Sequence, residues 1–226
     1  MFDFLSPIDA LSSVTLLFLA VFGLIELLII LRHRYYLEKK HLAILRLDPQ
    51  IQEGKIGEFI KSIRPPFIFE VAVHQLGKEI HYYLILPRKR VKHFKNLSQI
   101  KRVEDYHLFH HGGEHLGAYL KGDDKWPDID FKKIDFSKVN EVGEGVAIQL
   151  VFGRRRMKKT AVNFRILISA PSSYQAKEIL SAIKPAFSNL SLIESKSEEF
   201  LRKANFREFN EKEAMYWMVA GNKNKA

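Results

Sequence analysis

Cysteine is absent from the chain. Disulfides, thiolate nucleophiles and Cys-based zinc sites are therefore excluded, and the composition fits a reducing compartment. Lys and Arg are missing from the first 31 residues, where Asp3, Asp9 and Glu26 carry the only charges. That absence removes the positive n-region of a cleaved signal peptide and favours an uncleaved anchor. A phosphate-cradling loop, G-x-x-x-x-G-K-[ST], is also missing: Gly143 and Gly145 are followed by Val146 and Ala147. No Ser, His and Asp set stands in a nucleophile-elbow context. The expectation is a protein that is not an enzyme and needs no cofactor.

The chain does contain one long apolar run, residues 11–31, LSSVTLLFLAVFGLIELLIIL. As a helix it would measure roughly 31 Å, the thickness of a bilayer's hydrocarbon core. Its fifteen Leu, Ile, Val and Phe side chains outweigh the cost of the single acid, Glu26. Arg32, His33, Arg34, Lys39 and Lys40 follow directly. The positive-inside rule then predicts a single-pass protein of the inner membrane, with the N-terminus outside and the body cytoplasmic. Tyr35 and Tyr36 suit the membrane interface. Glu26 reads either as an intramembrane contact to another helix or as a protonated, tolerated side chain.

All 36 Lys and Arg lie beyond residue 31, so the remainder is more basic than the formal +10 of the whole chain. Such a charge suits anionic lipid, nucleic acid or an acidic partner. Arg154, Arg155, Arg156, Lys158 and Lys159 are concentrated in GRRRMKKT, residues 153–160, between two strand-like runs. These like charges repel, so the expected hairpin tip is either a solvated loop or a contact for a partner or anionic surface. Lipid headgroups or protein rank first. Nucleic acid is the alternative, because no aromatics interleave for base stacking.

Periodicity organises the rest. HLAILRL, residues 41–47, is a strand or an extension of the anchor helix, and Ile56, Phe59, Ile60 and Ile63 recur at helical spacing until Pro65 and Pro66. FIFEVAVH and EIHYYLIL flank Gln75-Leu76-Gly77-Lys78 as a hairpin. Val91, Phe94, Leu97 and Ile100 predict an amphipathic helix, and residues 102–108 a strand. A second pass places strands at 115–120, 145–152, 161–170 and 190–193, and a short helix at 135–142. A further helix after Pro171 turns Ala176, Ile179, Leu180 and Ile183 to one face and ends by Pro185. The predicted fold class is α+β: an N-terminal transmembrane helix followed by two ferredoxin-like βαββαβ units, antiparallel sheets backed by helices. The divisions are residues 1–40 (anchor and juxtamembrane segment), 41–111 and 112–195 (the two units) and 196–226 (a charged helical tail). In the tail, Met215, Trp217 and Met218 either pack on their own domain or dock a partner. The tail after Phe209 is expected to be dispensable for folding of the two units.

GEG at 143–145 reads as a tight turn into a strand. Gln149 falls inside that strand without an assigned role. His107, His110, His111 and His115 lie near Glu114, but Gly112 and Gly113 favour a turn and the HExxH spacing is absent, so a solvated loop without metal is expected.

Several blocks carry a resemblance: FEVAVHQLGKEIHYYLILPRKRV, VEDYHLF, NEVGEGVAIQLVF and FRILISA. Over residues 41–220 the chain resembles the region between the membrane segment and the motor domain in bacterial conjugation and type IV secretion ATPase-like proteins. The resemblance implies that HLAILRL is the first strand of the first unit. It likewise implies that NEKEAMYWMVAG corresponds to the segment leading into the nucleotide-binding domain of longer members. Because the phosphate-binding loop is missing, hydrolysis is not carried over. The function implied is that of a membrane-anchored accessory or scaffold protein docking a separate motor ATPase or other secretion-system subunit. Membrane lipid is its second partner, self-association stays open, and a membrane-tethered nucleic-acid-binding protein is the alternative.

Overall fold

The computed structural model describes residues 15–28, 42–47, 59–60, 62–74, 79–94, 100–106, 109, 112–122, 134–156 and 159–218. Two compact units divide the chain at His41 and Leu42. In the first, residues 15–28 form helix α1, and every side chain on it is exposed, Leu16 and Phe18 at 67%. Among the described residues no helix is long and apolar enough to cross a membrane. The remainder of the run 11–31 lies outside them, as do Arg32 to Lys40.

The second unit is built on one antiparallel sheet of nine strands. They are β1 (Leu42–Leu47), β2 (Phe67–His74), β3 (Ile80–Pro87), β4 (Ile100–Val103), β5 (Glu114–Lys121), β6 (Gly145–Arg156), β7 (Lys159–Ala170), β8 (Ser191–Ser195) and β9 (Met215–Met218). Val, Ile and aromatic residues dominate the central strands, and such side chains pack well on a pleated surface. The order is β4-β1-β3-β2-β6-β7-β5-β8, with β9 on β7. Each half thus places its fourth strand beside its first, then its third, then its second. The halves join where β2 pairs with β6, from Phe67 opposite Phe152 to His74 opposite Gly145. The flank of β7 away from β6 carries β5 along residues 165–170 and β9 along residues 159–162. Within the tail, Met215–Met218 is therefore a strand of the sheet, after the helix Glu198–Asn205, and both halves lie in one compact unit.

Both faces of the sheet are covered, which explains why β2, β6 and β7 are almost continuously apolar. One face carries Leu45, Phe69, Leu84, Leu150 and Phe164 in a single core, which helix α2 (Ser173–Ile183) covers over β5 and β7 and Ile60 and Ile63 join. Ser172 caps α2, its hydroxyl accepting from the Gln175 N–H, and Ala176, Ile179, Leu180 and Ile183 are buried as the spacing predicts. Successive side chains alternate, so Ile68, Tyr83, Ile85 and Leu167 face the other way, toward Phe200 and Ala204 of helix α3 (Glu198–Asn205). At Gly117 a Cβ would sit 2.2 Å from the Phe200 ring. Glycine is what lets α3 lie this close to β5.

Several expectations are corrected. Residues 135–142 form turns. The Asp135 carboxylate accepts from the Ser137 N–H, and the buried Glu144 carboxylate accepts from the Asn140 and Glu141 N–H groups, each at 2.8 Å. Side-chain acceptors have taken the donors that a helix would use. The amphipathic helix over 91–100 is a 3-10 helix, Arg88–Phe94, followed by β4 from Ile100, with residues 95–99 outside the described set. The guanidinium of Arg90 ties this helix to the Pro66 and Arg64 carbonyls. The strand expected over 102–108 ends at Val103. Residues 153–156 and 159–160 are strand rather than loop: Arg155 and Arg156 pair with Thr160 and Lys159, and β9 extends the sheet beside residues 159–162.

Candidate functional site

Charged residues inside apolar strands mark the most unusual feature of the sheet. Register sets Tyr83, Glu70, Gln149 and Arg165 side by side across β3, β2, β6 and β7. Glu70, Gln149 and Arg165 are each 0% exposed. Their row crosses the joint between the halves, on the face covered by α3.

The row is a connected polar clamp. Gln149 Nε2 donates to Glu70 Oε2 at 2.9 Å and to the Ala204 carbonyl at 3.2 Å. Arg165 Nη1 donates to Gln149 Oε1, and Arg165 Nε donates to Glu213 Oε2 at 2.7 Å. Arg207 Nε reaches Glu70 Oε2 at 3.2 Å, while its Nη1 reaches Asp105 Oδ1 at 2.8 Å. Asn163 takes the backbone of Asn210, donating to its carbonyl and accepting from its N–H, both at 2.7 Å. Arg207 holds a left-handed backbone, φ 55°, unusual for a residue with a side chain. Its N–H returns to the Ala204 carbonyl and closes α3.

Two buried arginines thus face two buried carboxylates, with Asp105 at the rim. Burial draws the Arg165 guanidinium below its ordinary pKa, and the neighbouring Glu213 offsets part of that. Burial also acts to lower Arg207, but Glu70 and Asp105 together outweigh it and leave the group above its ordinary value. Buried pairs of this kind add little net stability, because desolvation cancels much of the attraction, yet losing one partner costs about 3–5 kcal/mol. The Arg165 guanidinium lies 5.8 Å from the Phe200 ring centroid and that of Arg207 5.3 Å from Tyr106. This arrangement fastens residues 204–213 to the sheet; its ionisable groups are turned toward one another, in the geometry of a structural lock.

The residues singled out by sequence do not converge there. Glu26 lies on α1 with its side chain exposed. Arg154, Arg155 and Arg156 end β6, Lys159 opens β7 opposite Arg156, and Lys158 lies outside the described residues. Met215 and Trp217 are buried, at 3% and 0% exposed, with Trp217 edge-on to Phe152 and Phe164. Those two side chains therefore serve their own core, and Met218 pairs with Lys159 through the backbone. His107, His110 and His111 are outside the described residues, and His115 lies on β5 beside Phe109. Among the described residues no group of three metal-ligating side chains occurs. Gly143, at φ 91°, makes the turn expected of GEG. Glu70, Gln149, Arg165, Arg207 and Glu213 were not brought together by sequence reasoning. The available signal was a charge in the middle of FIFEVAVH and another in AVNFRILISA.

No protein-family model, curated protein or solved structure matches this chain.

Proposed function

We propose that the chain is a membrane-anchored accessory or scaffold protein, similar to the non-motor part of a type IV secretion or conjugative DNA-transfer ATPase, that docks a separate motor subunit. The observation that carries the anchor is α1, which apart from Thr15, Gly23 and Glu26 is built of large apolar side chains and Ala20, all of them exposed. A helix of that kind belongs inside a bilayer or a core. Each half of the body is read as a ferredoxin-like βαββαβ unit. Support comes from the strand order β4-β1-β3-β2, repeated as β8-β5-β7-β6, with α2 as the second crossover of the second unit. Two such units joined through β2 and β6 form a broad, doubly covered platform, a shape suited to scaffolding.

Docking is assigned to the C-terminal end, on the outer side of β9 and the residues after it, since Met215 and Trp217 point into the core. Tyr216 is the exposed aromatic of that strand. By itself the protein neither binds nor hydrolyses ATP. The test is affinity purification of the full chain from membranes of its own host, beside Tyr216→Arg. A co-purifying ATPase that is lost in the variant is expected. An unchanged set of bound proteins, or micromolar ATP binding by the purified chain in calorimetry, contradicts this reading.

A further inference from the structure

The registers place several basic segments at one end of the sheet. β1 begins there, with Leu42 opposite Pro87, and Arg88, Lys89 and Lys92 follow immediately in the 3-10 helix. β2 begins there as well, just after Arg64, with Phe67 opposite Phe152. β6 runs on past that pair through Arg154, Arg155 and Arg156, and β7 returns from Lys159. Arg64, Arg88, Lys89 and Lys92 are exposed, and none forms an ion pair among the described residues. Arg90, held between the Arg64 and Pro66 carbonyls, has its pKa lowered by burial and then by the nearby Arg64 charge. Glu104 follows Val103 at this end. The opposite end mixes the signs: Glu79 precedes β3, Glu114 opens β5 beside Ala170 with Lys177 and Lys196 near it, and Glu141 accepts from Gln175 at the start of α2.

We infer that the basic end of the sheet, formed by Arg64, Arg88, Lys89 and Lys92, is a docking surface for an anionic lipid bilayer. The inference rests on the membrane reading above. Arg64, Arg88, Lys89 and Lys92 outnumber Glu104 and Asp105, the carboxylates just beyond β4 at this end, and Asp105 is itself paired with Arg207; such an excess favours an anionic surface, and each basic residue near such a membrane adds to its attraction. Two observations favour lipid over nucleic acid. The chain enters the unit at this end, directly after a segment carrying Arg32, Arg34, Lys39 and Lys40. Of the exposed aromatics that would stack bases, Tyr174 stands at the start of α2 at the other end, which leaves Tyr216, opposite Ala161 on β9, as the single candidate near the basic end among the described residues.

Residues 42–226 hold the complete sheet and both cores as one compact unit, so they are tested without α1. Vesicles of phosphatidylcholine, with and without about a third phosphatidylserine, serve as probes. Binding only to the anionic vesicles is expected, and it weakens steeply as salt rises toward about 0.5 M. Replacement of Arg88, Lys89 and Lys92 by Ser should lower affinity about tenfold or more. Lys177 and Lys196, exposed beside Glu114, give the control pair K177S/K196S, whose effect should stay below about twofold. Equal binding to both vesicles, or an equal loss from the control pair, overturns the inference. Tighter binding to an oligonucleotide at the same salt, lost with the same Ser substitutions, overturns it in favour of a nucleic-acid surface. Because the unit lacks α1, failure here leaves the anchor to be judged by extraction of the full chain.

Discussion

Arg165 shows how a single residue constrains the whole sheet. It sits at the middle of β7, fully buried, and reaches Gln149 on the neighbouring strand and Glu213 in the tail. Arg165→Met would leave the Glu213 carboxylate buried without its cation, so unfolding free energy should fall by about 3–5 kcal/mol in denaturant titration. Arg165→Met with Glu213→Met removes both charges and should recover a substantial part of that loss; no recovery would mean that the pair matters for reasons other than charge compensation. His81 provides a pH-dependent residue. Burial and the Arg46 charge lower its pKa, opposed by Glu79 at 3.5 Å. With a folded value below the unfolded one, of about 6.5, the unfolded chain binds the proton more readily. The contribution is therefore present above about pH 6.5 and is lost as pH falls through the folded value. Thermal denaturation between about pH 7 and pH 5 should show the native chain losing more stability on acidification than His81→Gln; parallel curves for the two would contradict this.

At the scale of elements, β9 decides what the tail is for. It covers the flank of β7 along residues 159–162, and Trp217 packs against Phe152 and Phe164. Truncation after Phe209 removes Glu213, Met215 and Trp217 together. It should abolish cooperative unfolding of the sheet or lower its stability by more than about 4 kcal/mol, since loss of one large buried aromatic alone costs about 3–5. A truncated chain with an unchanged melting transition would show that β9 is dispensable. This outcome could not be read from local pattern, because Met215–Met218 looks like any short apolar cluster until its partner strand is known. Elements defined by their own periodicity were legible: the hairpin β2–β3, the strands β6 and β7, and the buried face of α2. Elements set by competing side-chain acceptors were not, which is why residues 135–142 turn around Asp135 and Glu144 instead of winding into a helix. The clamp was hidden for a related reason. Glu70 and Arg207 stand far apart in sequence, and only the joining of β2 to β6 places α3 and the tail over Glu70. What sequence did offer was an unexplained Gln149 in an apolar strand, and that residue proves to be the centre of the network.

For the whole molecule, the two halves repeat one strand order and share a single sheet, so bending one half relative to the other would break the β2–β6 ladder and the polar row that crosses it. A sheet continuous across both halves is consistent with the platform proposed above. Its charge is unevenly spread, with an excess of exposed cations, Arg64, Arg88, Lys89 and Lys92, at the end where the chain enters and a mixture of both signs at the other. Steering toward an anionic surface follows from such a distribution, and salt should weaken it. The account as a whole stands on the membrane anchor. The most direct measurement is extraction of membranes from cells producing the full chain, at alkaline pH, followed by immunodetection in pellet and supernatant, with residues 42–226 as the comparison. The account predicts that the full chain stays in the pellet until detergent is added, whereas residues 42–226 are released. Release of the full chain at alkaline pH would contradict it.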